Sequence, residues 1–474
     1  MPYGPGNITI TVLLSAAGLD RASFGTVMIL CDKASNPLDG SRVKSYANST
    51  EAATDKDAGK ISTQVYNMLV AGFSQERKPA LIKVGYVDTT PATPAVKASK
   101  DFGGVGTGNW DTIVEAHVAG LDGNNYTVEL VGDAPGAVTI SISGYQVTIH
   151  INPGVSTVAN VEAAIAALAG PNDVIDVKTP GTGPTVLAVA DCNMAATHLA
   201  GGAAAVLTED YGDGLDAVLA YDSDFYGVVC DSRTPQDAED ITTKIVSYGS
   251  TKRLIFVCQS SDTDWFLAPW PADYADLEDE EPVAVVFHDT GTEGADAAWL
   301  CNRLSWDPDT KSVPWDGPVD GVDEYATALT TSQLTTAETH YLNVGCEYGG
   351  ESFFVDHGLN CNGRQFHEVL TRDWFETRVK EDIAILKVEW SARGDKIPIS
   401  AIGQRVLTSA VNKRLKQGES VGHFEPGQTR CWAPTITQDD IDARRLRVEG
   451  QAQVQGSATA FDFSFTFQQT PLSE

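Results

Sequence analysis

The spacing of apolar and polar positions sketches a layered α/β protein. Near the start, Ile8, Ile10 and Val12 alternate with Thr9 and Thr11, the period of a half-buried strand. The run FGTVMILC from Phe24 to Cys31 predicts a more deeply buried strand. A polar stretch then leads to a helix expected over residues 60–73, with Val65, Met68 and Leu69 on one face, and ALIKVGYV over 80–87 returns as strand. The rhythm resumes beyond residue 206 with a helix near 214–220, the strand FYGVVC, a helix over 235–248, the strand RLIFVC, and VAVVFH from Val283 to His288. Two more helices are expected. One covers 365–390, with Phe366, Leu370, Phe375, Ile383 and Leu386 as an incomplete stripe. The other begins at the capping residue Ser400, turns Ile402, Val406, Ala410 and Leu415 inward, and stops at Gly418.

Between residues 89 and 205 the pattern changes. TTPATPAVKASK reads as a linker, and Gly-rich sequence follows with short alternating runs at 126–131 and 137–151 and one helical segment, VANVEAAIAAL, at 158–168. This predicts a β-rich domain inserted into an exposed loop of its host. At the far end, Leu446, Val448, Ala452 and Val454 share one parity, while Phe461, Phe463, Phe465 and Phe467 alternate with polar residues, giving two strands joined around Gly456 and Ser457. Four phenylalanines on one face, at about 1.5–3 kcal/mol each, need a cover. The strands at 8–14 and 461–467 either complete the chain's own sheet or add to that of a neighbouring copy. The expected division is thus 1–88, 89–205, 206–360 and 361–474.

Charge narrows the possible partners. Lys and Arg total 33 against 64 Asp and Glu, a net −31 that repels phosphate backbones and anionic lipid, so neither nucleic-acid binding nor stable membrane binding is expected. Residues 361–418 are the exception, with 11 basic against 7 acidic residues. The acidic stretch ADYADLEDEE, 272–281, reads as a solvated loop or helix face. The opening MPYGPGNITI lacks a basic and then apolar leader and no 18 apolar residues run together, so the chain is expected to be made in a cytosol and not exported by the ordinary route.

Chemical signatures are absent. Cysteines stand at 31, 192, 230, 258, 301, 346, 361 and 431, no two closer than fifteen positions, so no structural zinc or redox pair is expected. Cys230 and Cys258 close apolar runs and read as small buried hydrophobes. Gly104–Gly108 lies in a linker rather than between strand and helix, and His367–Glu368 lacks a second His four residues on. No cofactor, metal or catalytic set is expected, which leaves an acidic α/β enzyme assembled from distant residues as the alternative to a structural role.

Several segments together resemble the contractile tail sheath proteins of bacteriophages, in the branch formerly catalogued as a phage domain of unknown function. They are Phe24-Gly25-Thr26, AGFSQERKPALIKVG from Ala71, AAWLCNRL from Ala297, DPDTKSVPW from Asp307 and the long segment from Gly321 to Gly350. RDWFETRVKEDI from Arg372, KIPISAIGQRVL and the ending IDARRLRVEGQAQVQGSATAFDFSFTF complete the set. The resemblance covers roughly 1–88 and 206–474; Cys346 and the acidic loop near Glu278 depart from the usual pattern.

The resemblance implies a non-enzymatic α/β (mixed α+β) sheath core with an inserted β-rich domain. Such a subunit stacks as hexameric rings around a tail tube, is linked by exchanged terminal strands carrying Ile8, Ile10, Val12, Phe461, Phe463, Phe465 and Phe467, and contracts. Its implied partners are itself in a helical homo-oligomer, the tube protein, and baseplate and tail terminator proteins. The implied place is a virion tail assembled in the host cytoplasm, or the sheath of a headless injection particle. Arg405, Lys413, Arg414 and Lys416 then either face an acidic tube or form a solvated helix face. Cys192, Cys346, Cys361 and Cys431 are either free thiols or cross-links between subunits once the particle leaves its reducing cytosol.

Overall fold

A computed structural model describes residues 23–102, 112–133, 136–181, 186–187, 193–249, 251–325, 328–348 and 351–456. The chain divides into two compact units, Met1–Thr89 with Glu209–Glu474, and Thr90–Thr208. Ile8, Ile10, Val12, Cys192 and the four phenylalanines of 461–467 lie outside the described residues.

The first unit is built on a nine-stranded sheet. Its elements are β1 (Val27–Asp32), β2 (Val43–Tyr46), α1 (Ser49–Asp57), α2 (Thr63–Phe73), β3 (Ile82–Val87), α3 (Tyr211–Tyr221), β4 (Gly227–Cys230), α4 (Pro235–Tyr248), β5 (Ile255–Ser260) and β6 (Val283–Phe287). They continue with α5 (Ala295–Leu304), β7 (Gly317–Pro318), α6 (Thr331–Thr339), β8 (Asn343–Tyr348) and β9 (Glu351–Val355). The sheet order is β7-β9-β8-β6-β5-β4-β1-β3-β2, parallel from β8 to β3 with antiparallel edges.

Strand parity explains both layers. Val27, Ile29 and Cys31 of β1 join Val229, Val257 and Val286 in a core covered by α2 and α5. Met28 and Leu30 join Val228, Phe256 and Val285 in a second core under α3 and α4. A parallel sheet is covered on both faces, which is why its strands read as continuous apolar runs. Cys230 and Cys258 sit in the second core, 1% and 3% exposed.

The second unit has its own core of Val114, Val128, Val147, Val161 and Ile175, among others. A three-stranded sheet pairs Ile113–Ala116 with Ser99–Asp101 and Ile175–Thr179. A four-stranded sheet runs Asn193–His198, Thr127–Val131, Gln146–His150, Thr139–Ser143. The helix Val158–Ala166 starts in a capping box between Thr157 and Asn160.

Local structure departs from expectation at several points. The polar stretch before residue 60, for which the pattern predicts no element, contains α1, a polar helix capped by Asn48 whose only buried residues are Ala52 and Asp55. The acidic segment is not wholly solvated, because Tyr274 and Leu277 turn into the core. The helix expected to stop at Gly418 continues to Val421, closed by Gly422 in the left-handed conformation. Among the described residues no helix is long and apolar enough to cross a membrane.

Candidate functional site

After β9 the chain leaves the sheet in α7 (Phe366–Ala392), returns in α8 (Ala401–Val421), and continues into a ribbon of β10 (Phe424–Trp432) and β11 (Glu449–Val454). The first half of α7 is rooted in the core through Phe366, Val369, Leu370, Trp374, Phe375 and Val379. Beyond Val379 only Ala384 is buried.

Charges fasten that root at the amino ends of the parallel strands. The Asp373 carboxylate accepts from Tyr226 Oη at 3.0 Å and Arg372 Nε at 3.2 Å, with Arg253 Nε at 3.6 Å. Burial pushes this carboxyl up, against the pull of the two arginines. Glu376 takes Arg253 at 2.6 Å and Lys380 at 2.6 Å, and Arg372 also grips Glu281. One turn on, buried Arg378 clasps Asp309 (Nη2–Oδ2 2.9 Å, Nε–Oδ1 3.1 Å) and pairs with Glu381 at 2.9 Å.

Asp309 explains the DPDTKSVPW stretch. Its carboxylate also accepts from Trp374 Nε1 at 3.0 Å, and its carbonyl accepts from Gln417 of α8 at 3.1 Å. His423 Nε2 donates to the Pro308 carbonyl at 2.8 Å, which fixes the neutral tautomer and leaves Nδ1 to accept from Thr371 at 2.9 Å. Burial holds the imidazole down at about 4, and the ring stacks on Trp374 at 4.4 Å. From the other side, the AAWLCNRL helix α5 donates Trp299 Nε1 to the Trp315 carbonyl at 2.8 Å, and Arg303 to those of Pro314 and Pro318 at 3.2 Å each. Three segments that stand apart in sequence thus lock one another.

Between α7, α8 and the entry to β11 lies a trough of about 580 Å³, floored by Phe375, Val379, Ile383, Val411, Leu415 and Leu446 and rimmed by Lys387 and Lys396. Outside the trough, Ile385, Val388, Ile402 and Trp432 on the same elements are exposed at 47%, 56%, 62% and 37%. The ribbon is antiparallel, with Thr429 opposite Ala452 and Trp432 opposite Glu449, and among the described residues no third strand joins either edge. A two-stranded ribbon is marginal alone and offers two rows of backbone donors and acceptors.

The expected site residues fall into distinct groups. Arg405 and Lys413 are exposed and make no ion pair among the described residues. Arg414 is instead consumed internally, bridging α8 to α7 through Asp382 at 2.6 and 2.7 Å, and Lys416 pairs with Glu419 at 2.7 Å. Ile402, expected inward, faces out. Cys361 does not present a thiol to a neighbour: at 1% exposure it packs in the second core, because the backbone around it joins the sheet (Cys361 N to Val283 O, 2.9 Å). Cys346 and Cys431 are partly exposed free thiols. Asp309 lies in the DPDTKSVPW stretch, but no sequence signal gave it or His423 a role, which appears only when the loop meets the helices.

The crevice at the carboxyl ends of β1 and β4, where strand order reverses and α/β enzymes commonly bind ligands, is filled by its own side chains. Asp231 accepts from Tyr211 Oη at 2.6 Å and from Asp32 N and Asn36 Nδ2 at 3.3 Å each. Loss of solvation pushes its carboxyl up to about 6. Arg233 forks onto buried Asp296 (2.7 and 3.3 Å) and onto the carbonyls of Cys230, Gly291 and Glu293.

No family model matches the chain, and none of the curated proteins matches it. Among solved structures it is similar to a sheath tail protein from Desulfitobacterium hafniense, at 14% identity over 90% of this chain and 93% of that one, TM-score 0.43. A chain of the anti-feeding prophage baseplate gives 10% identity over 73% and 91%, TM-score 0.41. A chain of the PVC sheath complex, an extracellular contractile injection system in its contracted state, gives 14% over 54% and 75%, TM-score 0.38.

Proposed function

We propose that the chain is a structural subunit of a contractile tail sheath, which polymerises through its C-terminal ribbon and works mechanically rather than catalytically. The observation that carries this reading is the open β10–β11 ribbon beside an apolar trough, in a unit whose two chain ends carry strand-forming sequence. Strands from adjoining copies would complete the ribbon by backbone pairing, and a face with the spacing of Phe461 to Phe467 would cover the trough. The insertion at 90–208, expected as an outer domain, leaves this ribbon to the first unit.

Contraction asks that links between copies survive while their faces repack. Backbone ladders tilt with their hydrogen bonds intact, and exposed charged and apolar surfaces exchange partners. Stacked hexameric rings around a tube, with Arg405 and Lys413 toward an acidic tube protein and baseplate and terminator proteins at the ends, complete the proposed arrangement in a virion tail or a headless particle. The filled crevice at Asp231 and Arg233 supports a mechanical over an enzymatic role.

Deleting residues 460–474 tests the proposal. The truncated chain is expected to stay soluble and monomeric by light scattering, while the full chain forms tubes in negative stain. Normal tubes from the truncated chain contradict the strand-exchange reading.

A further inference from the structure

We propose that the second unit binds a divalent transition-metal ion of the zinc class between His117, Asp173 and Asp176. The three side chains gather where two adjoining strands of its three-stranded sheet meet their loops. His117 follows Ile113–Ala116, Asp173 precedes Ile175–Thr179 and Asp176 lies within it, with Ala116 opposite Ile175 and His117 N donating to the Val174 carbonyl at 2.9 Å. Val114, Ala116 and Ile175 are buried beneath them, so a packed ladder fixes the backbone from which the ligands project.

The distances suit three ligands around one ion as well as an ion pair. His117 Nδ1 lies 3.4 Å from Asp173 Oδ1, 3.3 Å from Asp176 Oδ1 and 3.2 Å from Asp176 Oδ2. A charge-assisted bond closes to about 2.7–2.9 Å, as His150 Nδ1 and Asp133 Oδ1 do at 2.8 Å in the same unit. Two ligands each about 2.1 Å from a tetrahedral ion stand about 3.4 Å apart. One ligand atom from each of the three residues falls within 4.8 Å of the others.

One imidazole with two carboxylates suits zinc and its neighbours better than magnesium or calcium, which prefer all-oxygen sets. Three protein ligands leave a position for water or for a group from another molecule. Lys97 competes, with Nζ 2.8 Å from Asp176 Oδ2 and 3.1 Å from Glu115, yet it leaves Asp176 Oδ1 facing the imidazole. His117, Asp173 and Asp176 are 44%, 32% and 36% exposed at the side chain, so an ion can enter and leave. The sequence gives no warning, because 56 positions separate His117 from Asp173.

The test uses the full-length chain, stripped with chelator and titrated calorimetrically with zinc chloride in excess magnesium, with bound metal counted by mass spectrometry after dialysis. One zinc per chain is expected. His117→Gln and Asp173→Asn should each weaken it by at least about tenfold, and Lys97→Met should tighten it by removing the competing cation. Cobalt substituted at the site should lack the thiolate charge-transfer band that binding at cysteine would give. Equal zinc affinity in His117→Gln and the parent overturns the proposal, as does a thiolate band. Neither outcome depends on whether the chain forms tubes.

Discussion

Replacing Gly418 by alanine sets two physical effects against each other. Within a helix, alanine is favoured over glycine by about 1 kcal/mol, so propensity alone makes Gly418→Ala stabilising. A Cβ at this position, however, stands 2.4 and 2.6 Å from Phe424 Cδ2 and Cε2 and 3.4 Å from Trp374 Cζ3. The Phe424 ring cannot retreat, being fully buried and edge-on to Phe375 at 5.5 Å, while Trp374 is stacked on His423. Overpacking of this kind costs about 1–3 kcal/mol, and a Phe424 expelled from its pocket forfeits a further ~1.5–3. Against the propensity gain, overpacking alone leaves a net destabilisation of up to about 2 kcal/mol, and expulsion of Phe424 raises it to about 1.5–5 kcal/mol. Ser409→Ala, on the exposed face of the same helix, should instead gain up to ~0.5 kcal/mol. Urea unfolding followed by tryptophan fluorescence reads this unit directly, since eight of the nine tryptophans belong to it. A Gly418→Ala midpoint equal to or above that of the parent, at unchanged m value, refutes the claim that Gly418 exists to seat Phe424 and the start of β10.

Arg378→Met removes the guanidinium from Asp309 and should cost about 3–5 kcal/mol, as breaking a buried pair does; a loss under 1 kcal/mol in the same urea assay contradicts the clasp. His423, held down at about 4 in the fold, binds protons more readily when unfolded, so its stabilisation is full above about pH 6.5 and drains away as pH falls toward 4, up to about 3 kcal/mol. In His423→Gln that acid slope should vanish from a series of urea midpoints. Asp231, pushed up to about 6, acts in the opposite sense, its contribution being present below about pH 4 and lost as pH rises through 6. Asp231→Asn should therefore gain relative to the parent at pH 7, and an unchanged difference between pH 4 and pH 7 would count against its raised value. Arg405→Glu with Lys413→Glu should leave subunit stability unchanged and weaken tube attachment in co-sedimentation, whereas Arg414→Glu should destabilise the subunit itself by breaking its pair with Asp382. Unoxidised monomer alone on non-reducing gels of assembled particles argues against cross-links through Cys346 or Cys431.

Much of the sheet was legible because its strands are buried on both faces and read as unbroken apolar runs, and α4 was located at the expected bounds, Pro235–Tyr248. α1 was not, because a helix that buries only Ala52 and Asp55 has no stripe to detect. Gly418 reads as a helix stop for a related reason. Glycine signals either a helix end or a close approach, and only the position of Phe424 separates the two. Ile402 reads as inward by period but lies on a helix whose partner covers the other side. The basic residues of α8 were visible as a cluster, yet Asp382, thirty-two positions before Arg414, decides which of them remain available.

The uneven embedding of α7 makes it a cantilever. Its root is clamped by the Asp373, Glu376 and Arg378 pairs, while the portion beyond Val379 extends for roughly 20 Å, held to α8 by the pair of Asp382 with Arg414. A pivot of about 10° at the clamp swings the tip by some ~3.5 Å over that reach, so a slight rearrangement around Asp309 is geared up into a displacement comparable with the width of a side chain. Any neighbour seated on Ile385 and Val388 would feel that swing, and the trough beneath would widen or narrow in step with it.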